Sequence, residues 1–126
     1  MKKRSILIVD DEVDFPRLAR MVLTEKGGFE VGVCHRGEQA IDMIREWKPD
    51  LLLLDIVMPN VDGTDIAAAL RNDPELCSVP IIFFTSLMTP QEAASHPVVG
   101  KHDFIPKPIS VDALLKRVKE FFKRET

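Results

Sequence analysis

Leu51-Leu52-Leu53-Leu54-Asp55, followed by Ile56-Val57-Met58-Pro59, is the stretch that decides the fold. A strand with one face in water alternates apolar and polar residues, and four leucines in a row do not. A run this short, closed by Met58-Pro59, reads as a strand covered on both faces. Two further runs have the same character, Ile6-Leu7-Ile8-Val9 upstream and Ile81-Ile82-Phe83-Phe84 downstream. Weaker strand signals lie at 29–34 and at Phe104-Ile105.

Helical stripes fill the intervals. Phe15, Leu18, Ala19 and Val22 fall at i, i+3, i+4 and i+7, one face of a helix that tolerates Pro16 in its first turn and stops at Gly27-Gly28. Ala40, Ile41, Ile44 and Trp47 make a second stripe, closed by Pro49. Ile66, Ala67 and Leu70 make a third, ended before Pro74. Val111, Leu114, Leu115, Val118, Phe121 and Phe122 make the last, with Ser110 placed to cap it. Five strands alternating with helices predict an α/β chain, (βα)5, with a parallel sheet between two helical layers and right-handed crossovers. No repeat or linker interrupts the pattern, so residues 1–126 read as one domain.

Composition narrows the function. The chain has 126 residues and a net charge of −3, which gives no electrostatic reason to expect direct nucleic-acid binding. Its basic clusters sit at the two ends and read as a solvated tail and helix face. No apolar stretch is long enough to span a membrane, and the first apolar run is too short for a signal peptide, so a cytoplasmic location is expected. Cys34 and Cys77 lack metal-like spacing and read as reduced, partly buried residues. His35, His96 and His102 have no catalytic spacing and read as exposed loop residues. Trp47 and Met58 read as packing residues.

In an open parallel sheet, ligands gather beyond the carboxyl ends of the strands. Asp10, Asp11 and Glu12 follow the first strand, Asp55 closes the third, Thr85 and Ser86 follow the fourth, and Lys107-Pro108 follows the fifth. Acids held this close repel, and one of them should have a raised pKa unless a cation intervenes. Mg²⁺, which prefers carboxylate oxygens, water and phosphate, resolves the conflict. The lone lysine adds a second counter-charge and a donor for phosphoryl oxygens. Taken alone, Asp10-Asp11 would suit the positive end of a helix dipole, and the later pairs could be turns. Four separate strand ends mimicking one site together is a different matter.

These motifs resemble the response-regulator receiver domain of two-component signalling. The likeness runs through Ile8-Val9-Asp10-Asp11-Glu12, Pro49-Asp50, Asp55-Ile56-Val57-Met58-Pro59, Asp62-Gly63, Pro80-Ile81-Ile82, Thr85-Ser86 and Phe104-Ile105-Pro106-Lys107-Pro108. It implies a flavodoxin-like (CheY-like) three-layer sandwich with strand order 2-1-3-4-5. Asp55 would be the phosphoacceptor. Asp10, Asp11, Asp55 and the Val57 backbone carbonyl would hold Mg²⁺. Lys107 would pair with the phosphoryl group, and Thr85 and Phe104 would form the switch. The Lys107–Pro108 peptide is expected to be cis. The protein would be a phosphoacceptor that catalyses its own phosphorylation and slow dephosphorylation, not a conventional enzyme. Its partners would be a sensor histidine kinase or phosphotransfer protein, docking near Phe15, Leu18 and Pro108, and a downstream effector or fused output domain.

Two other readings compete. A pseudo-receiver would use the fold only as a binding surface, although every residue needed for phosphorylation is present. A flavin carrier would need a glycine- and hydroxyl-rich loop after the first strand, where this chain has acids. The chain departs from the family between Thr85 and Lys107. There Thr89-Pro90-Gln91-Glu92 predicts a capping box, and Pro97 predicts a helix of under two turns from Pro90 to Ser95. Residues 96–102 should be irregular, with Gly100 permitting a turn. The face formed by this helix, the fifth strand and the last helix should then be remodelled, the segment mobile or reserved for a partner, and dimerisation through it disfavoured.

Overall fold

The structure, a computed structural model, describes residues 3–85 and 88–125. Five strands are present: β1 (Ser5–Val9), β2 (Glu30–Cys34), β3 (Leu51–Asp55), β4 (Ile81–Thr85) and β5 (Asp103–Pro106). The helices are α1 (Asp14–Glu25), α2 (Ala40–Trp47), α3 (Gly63–Arg71), α4 (Pro90–Ser95) and α5 (Val111–Glu125), with short 3-10 turns at Gly37–Gln39 and Val99–Lys101. The sheet is parallel throughout, in the order β2-β1-β3-β4-β5.

Alternate residues of the apolar runs feed two separate cores, which is why the runs do not alternate with polar residues. Leu7, Val9, Leu52, Leu54, Ile81 and Phe83 pack with Ala40 and Ile44 of α2, Ile66, Ala67 and Leu70 of α3, and Ala93 of α4. On the opposite face, Ile6, Ile8, Leu51, Leu53, Ile82 and Phe84 pack with Ala19 and Leu23 of α1 and with Leu114, Leu115, Val118, Phe121 and Phe122 of α5. Both helical layers of the expected sandwich are therefore present.

Several local expectations need correction. On α1 the buried residues are Pro16, Ala19 and Leu23, whereas Leu18 is 48% exposed. Phe15 and Val22 of the expected stripe are half-buried against the core shared with α5, so the core-facing stripe keeps Phe15, Ala19 and Val22, leaves out Leu18 and takes in Leu23. Cys34 is buried but Cys77 is exposed. His96 and His102 are half-buried rather than exposed, and only His35 lies open to solvent. The Nδ1 of His96 accepts the backbone N–H groups of Val98 and Val99, each at 3.1 Å.

The short α4 has the expected boundaries and capping box, with Thr89 Oγ1 accepting from Glu92 N and Glu92 Oε1 from Thr89 N. Gly100 lies in a turn, as expected, but a second constraint also applies to it. It does not take a left-handed φ; instead it lies so close to the Ala94 carbonyl that a Cβ would collide with it. Residues 96–102 include the 3-10 turn, and Val99 within it is fully buried, so the segment is packed against the sheet.

Candidate functional site

The register of the sheet delivers the acids to one edge. Val9 pairs with Leu54, so Asp10 and Asp55 leave adjacent strands side by side. Asp10 is fully buried and Asp55 is 5% exposed, while Asp11 lies at the rim. One carboxylate oxygen from each of Asp10, Asp11 and Asp55 falls within 4.8 Å of the others.

Lys107 reaches this group from the end of β5, and the Lys107–Pro108 peptide that follows it is cis. Its Nζ stands 2.8 Å from Glu12 Oε1, 3.2 Å from Asp10 Oδ2 and 3.6 Å from Asp55 Oδ2. The Phe84 ring lies 4.6 Å below the ammonium, adding a cation–π contact on its apolar side. Thr85 closes β4, 2% exposed, and its carbonyl accepts Lys107 N at 3.0 Å. That bond ties the end of β4 to the lysine's loop. Ser86 and Leu87 lie outside the described residues.

Burial pushes the Asp55 carboxyl up to about 7; the Lys107 charge pulls it down and the neighbouring Asp10 charge raises it. Burial pulls Lys107 the other way, toward neutrality. The Glu12 hydrogen bond and the charges of Asp10 and Asp55 outweigh it, and the lysine ends above its ordinary value. Three acids and one retained ammonium thus leave a net negative cluster of oxygens. That donor set suits a hard divalent cation such as Mg²⁺, so the residues present fit the metal expected from sequence.

The scaffold behind Asp55 is equally specific. Asp62 caps α3 by accepting Thr64 N at 3.2 Å, and Gly63 N donates to Ile56 O at 2.7 Å. A Cβ on Gly63 would collide with the Asp55 carbonyl. Gly63→Ala is expected to destabilise the protein by roughly 2–4 kcal/mol, because strand and helix backbone meet there with no room to yield. Denaturant unfolding checks this, and a loss under half a kilocalorie per mole would contradict it.

The other expected residues fall as follows. Val57 follows β3, 46% exposed, and its N–H approaches Asp55 Oδ1 at 3.4 Å. Phe104 is half-buried against the core shared by α2, α3 and α4, and its carbonyl accepts Arg117 Nη2 at 3.4 Å. Phe15 and Pro108 line a groove of about 280 Å³ with Glu12, Lys107 and Ile109. Leu18 is not among its lining residues. Two features escaped the sequence reading: Glu12 as the shortest contact of Lys107, and His35, whose Nδ1 meets the backbone of the acidic loop.

Comparison with known proteins gives a consistent result. The family described as response regulator receiver domain matches residues 6–119. The chain is 37% identical over 119 residues to the phosphate regulon transcriptional regulatory protein PhoB of Rhizobium meliloti, covering 94% of this chain and 52% of that protein. It is 33% identical to the response regulator MprA of Mycobacterium avium, again over 94% of this chain and 51% of the relative. The chain therefore spans about half the length of the curated relatives it matches. Among solved structures, the Francisella response regulator 1452 receiver domain superposes with a TM-score of 0.84 at 25% identity, covering 98% of this chain and all of the other. A response regulator from Desulfuromonas acetoxidans gives 0.82 at 26% identity, over 95% of this chain and 97% of the other.

Proposed function

The chain belongs to the response regulator receiver domain family, and from that premise we propose that Asp55 is its phosphoacceptor and residues 1–126 one receiver domain. A two-component receiver accepts a phosphoryl group and switches its partners. The observation that carries the assignment to Asp55 is the meeting of three carboxylates and one ammonium at a single sheet edge. An Asp55 carboxylate oxygen attacks phosphorus, the bond from phosphorus to the donor nitrogen or oxygen breaks, and an acyl phosphate forms. Asp10, Asp11, Asp55 and the Val57 carbonyl would hold Mg²⁺. When bound, the ion supplies charge neutralisation between carboxylates and phosphoryl oxygens.

The chain's own residues do the rest. Lys107, already positioned by Glu12 and Asp10, donates to a phosphoryl oxygen. Thr85, at the end of β4, donates its hydroxyl to the same group and draws its loop inward, with Phe104 following as the aromatic switch. Because position and charge rather than a protein acid or base carry the transfer, the domain catalyses its own phosphorylation. The donor is a phosphohistidine on a sensor kinase or phosphotransfer protein, and the groove at Glu12, Phe15, Lys107, Pro108 and Ile109 is its docking surface.

An effector or fused output domain receives the signal. The expectation of no nucleic-acid contact applies to this receiver alone, since the PhoB relative is named a transcriptional regulator and only 52% of it is matched. No described helix is long and apolar enough to cross a membrane; the site of action in this reading is cytoplasmic.

The test is incubation with a small acyl phosphate, followed by intact-mass measurement. One added phosphoryl mass is expected with Mg²⁺ and none with chelator; no adduct under either condition would sink the proposal. Once formed, the acyl phosphate should be long-lived. Val57 sits exposed beside Asp55 and cannot orient a hydrolytic water by hydrogen bonds, nor can Leu87. Loss of the label within seconds in Mg²⁺ buffer would contradict this.

A further inference from the structure

The acidic loop that follows β1 carries two of the three clustered carboxylates, yet its own side chains give it little that is permanent. Asp10 Oδ1 accepts Glu12 N at 3.0 Å, and Asp10 Oδ2 faces Lys107 Nζ at 3.2 Å. Either bond is lost whenever the carboxylate turns toward another cation or the lysine turns toward a phosphoryl oxygen. Mutual repulsion of the acids meanwhile favours the loop swinging outward. Something other than these carboxylates must hold the main chain.

Sheet register supplies it. Val9 pairs with Cys34, and Asp10 N donates to Cys34 O at 3.0 Å, so the residue after β2 stands level with the acidic loop. That residue is His35. Its Nδ1 lies 3.1 Å from Asp10 O and 3.0 Å from Glu12 O. Both partners are carbonyl oxygens, which can only accept, so Nδ1 carries a proton and donates to both. One imidazole N–H thus spans the loop from its first acid to its third residue. These bonds do not depend on where the Asp10 or Glu12 side chains turn.

We infer that His35 is a positioning residue for the phosphorylation site, fixing the backbone of residues 10–12 so that Asp10 and Asp11 stay turned toward Asp55. The inference rests on reading those acids as the Mg²⁺ site. His35 touches none of the reacting groups and acts through the loop. It is exposed, so its ring contributes little to the core. Its effect should appear in cation binding rather than in folding.

The experiment is calorimetric titration of the purified chain with Mg²⁺, comparing wild type, His35→Asn, His35→Leu and Asp55→Asn, with thermal midpoints measured alongside. Asn and Leu are alike in size, but only Asn keeps an N–H near the Nδ1 position. His35→Leu is expected to weaken Mg²⁺ binding about three- to tenfold, the worth of one or two modest hydrogen bonds. His35→Asn should stay within about twofold of wild type, with both midpoints near that of wild type. Equal affinity in wild type and the Leu variant, or an Asn variant as weak as the Leu variant, overturns the inference. A wild type that binds Mg²⁺ no better than Asp55→Asn overturns the metal-site reading itself, and this inference with it.

Discussion

Asp55→Asn is expected to make the metal-free protein more stable, by roughly 1–3 kcal/mol at about pH 8, while removing its capacity to be phosphorylated. The carboxyl has an ordinary pKa of 3.8 in an unfolded chain and about 7 in the fold, raised first by burial. A raised acid pKa means the folded state holds its proton more tightly than the unfolded state does. The cost of ionising Asp55 is therefore absent below about pH 4, grows as pH rises, and is complete above about pH 7. At about 1.4 kcal/mol per unit the shift sets a ceiling of roughly 4 kcal/mol, and relaxation around the carboxylate reduces it. Asn carries no such charge, so the variant should lack this fall in stability between acid and neutral pH. Saturating Mg²⁺ should narrow the gap, because it stabilises the wild type by binding its folded state. Urea unfolding at several pH values measures this directly. A variant equal to or less stable than wild type throughout would contradict the electrostatic account.

Lys107→Met is expected to have the opposite sign and a larger size. Lys107 is the counter-charge within reach of Asp10, which is fully buried, and of Asp55. Methionine nearly matches the length of the stem but leaves those charges unpaired, which costs roughly 2–4 kcal/mol at about pH 8. The cost should shrink as pH falls through about 7, because Asp55 then takes up a proton and one of the unpaired charges disappears. The double variant Lys107→Met with Asp55→Asn should recover at least about 1 kcal/mol relative to the sum of the two singles. Strict additivity would show that the lysine and the acceptor do not communicate.

The strands were legible because each buried run is four or five residues long and flanked by turn chemistry, so length separates strand from helix. Strand order followed from the resemblance and the joint site from taking the strand ends together, and the sheet register bears out the neighbourhood of Asp10 and Asp55. The short α4 was legible too, since Pro90 and Pro97 bracket it and the capping box marks its start. The face of α1 was legible only in part, Leu18 being the residue misplaced. Phe15-Leu18-Ala19-Val22 and Pro16-Ala19-Leu23 are overlapping stripes of similar hydropathy, and only the packing of α5 shows that Leu18 is left out and Leu23 taken in. Nor could the sequence reveal His35, because a single histidine after an edge strand has no spacing signal. Its role depends on the pairing of Val9 with Cys34, a long-range fact of register. Gly100 was read as a turn residue and lies in one, but its need for clearance from Ala94 is disclosed only by the folded approach of two segments.

The central claim is that the phosphoryl group resides on Asp55, and mapping the modified residue tests it most directly. Protein treated with a small acyl phosphate and Mg²⁺ is reduced with borohydride, which converts an aspartyl phosphate to homoserine, then digested and sequenced by mass spectrometry. Homoserine at position 55, absent when Mg²⁺ is chelated, is the expected result. Homoserine at Asp10 or Asp11 instead, or phosphoryl adducts forming at the wild-type rate on Asp55→Asn, would contradict the account.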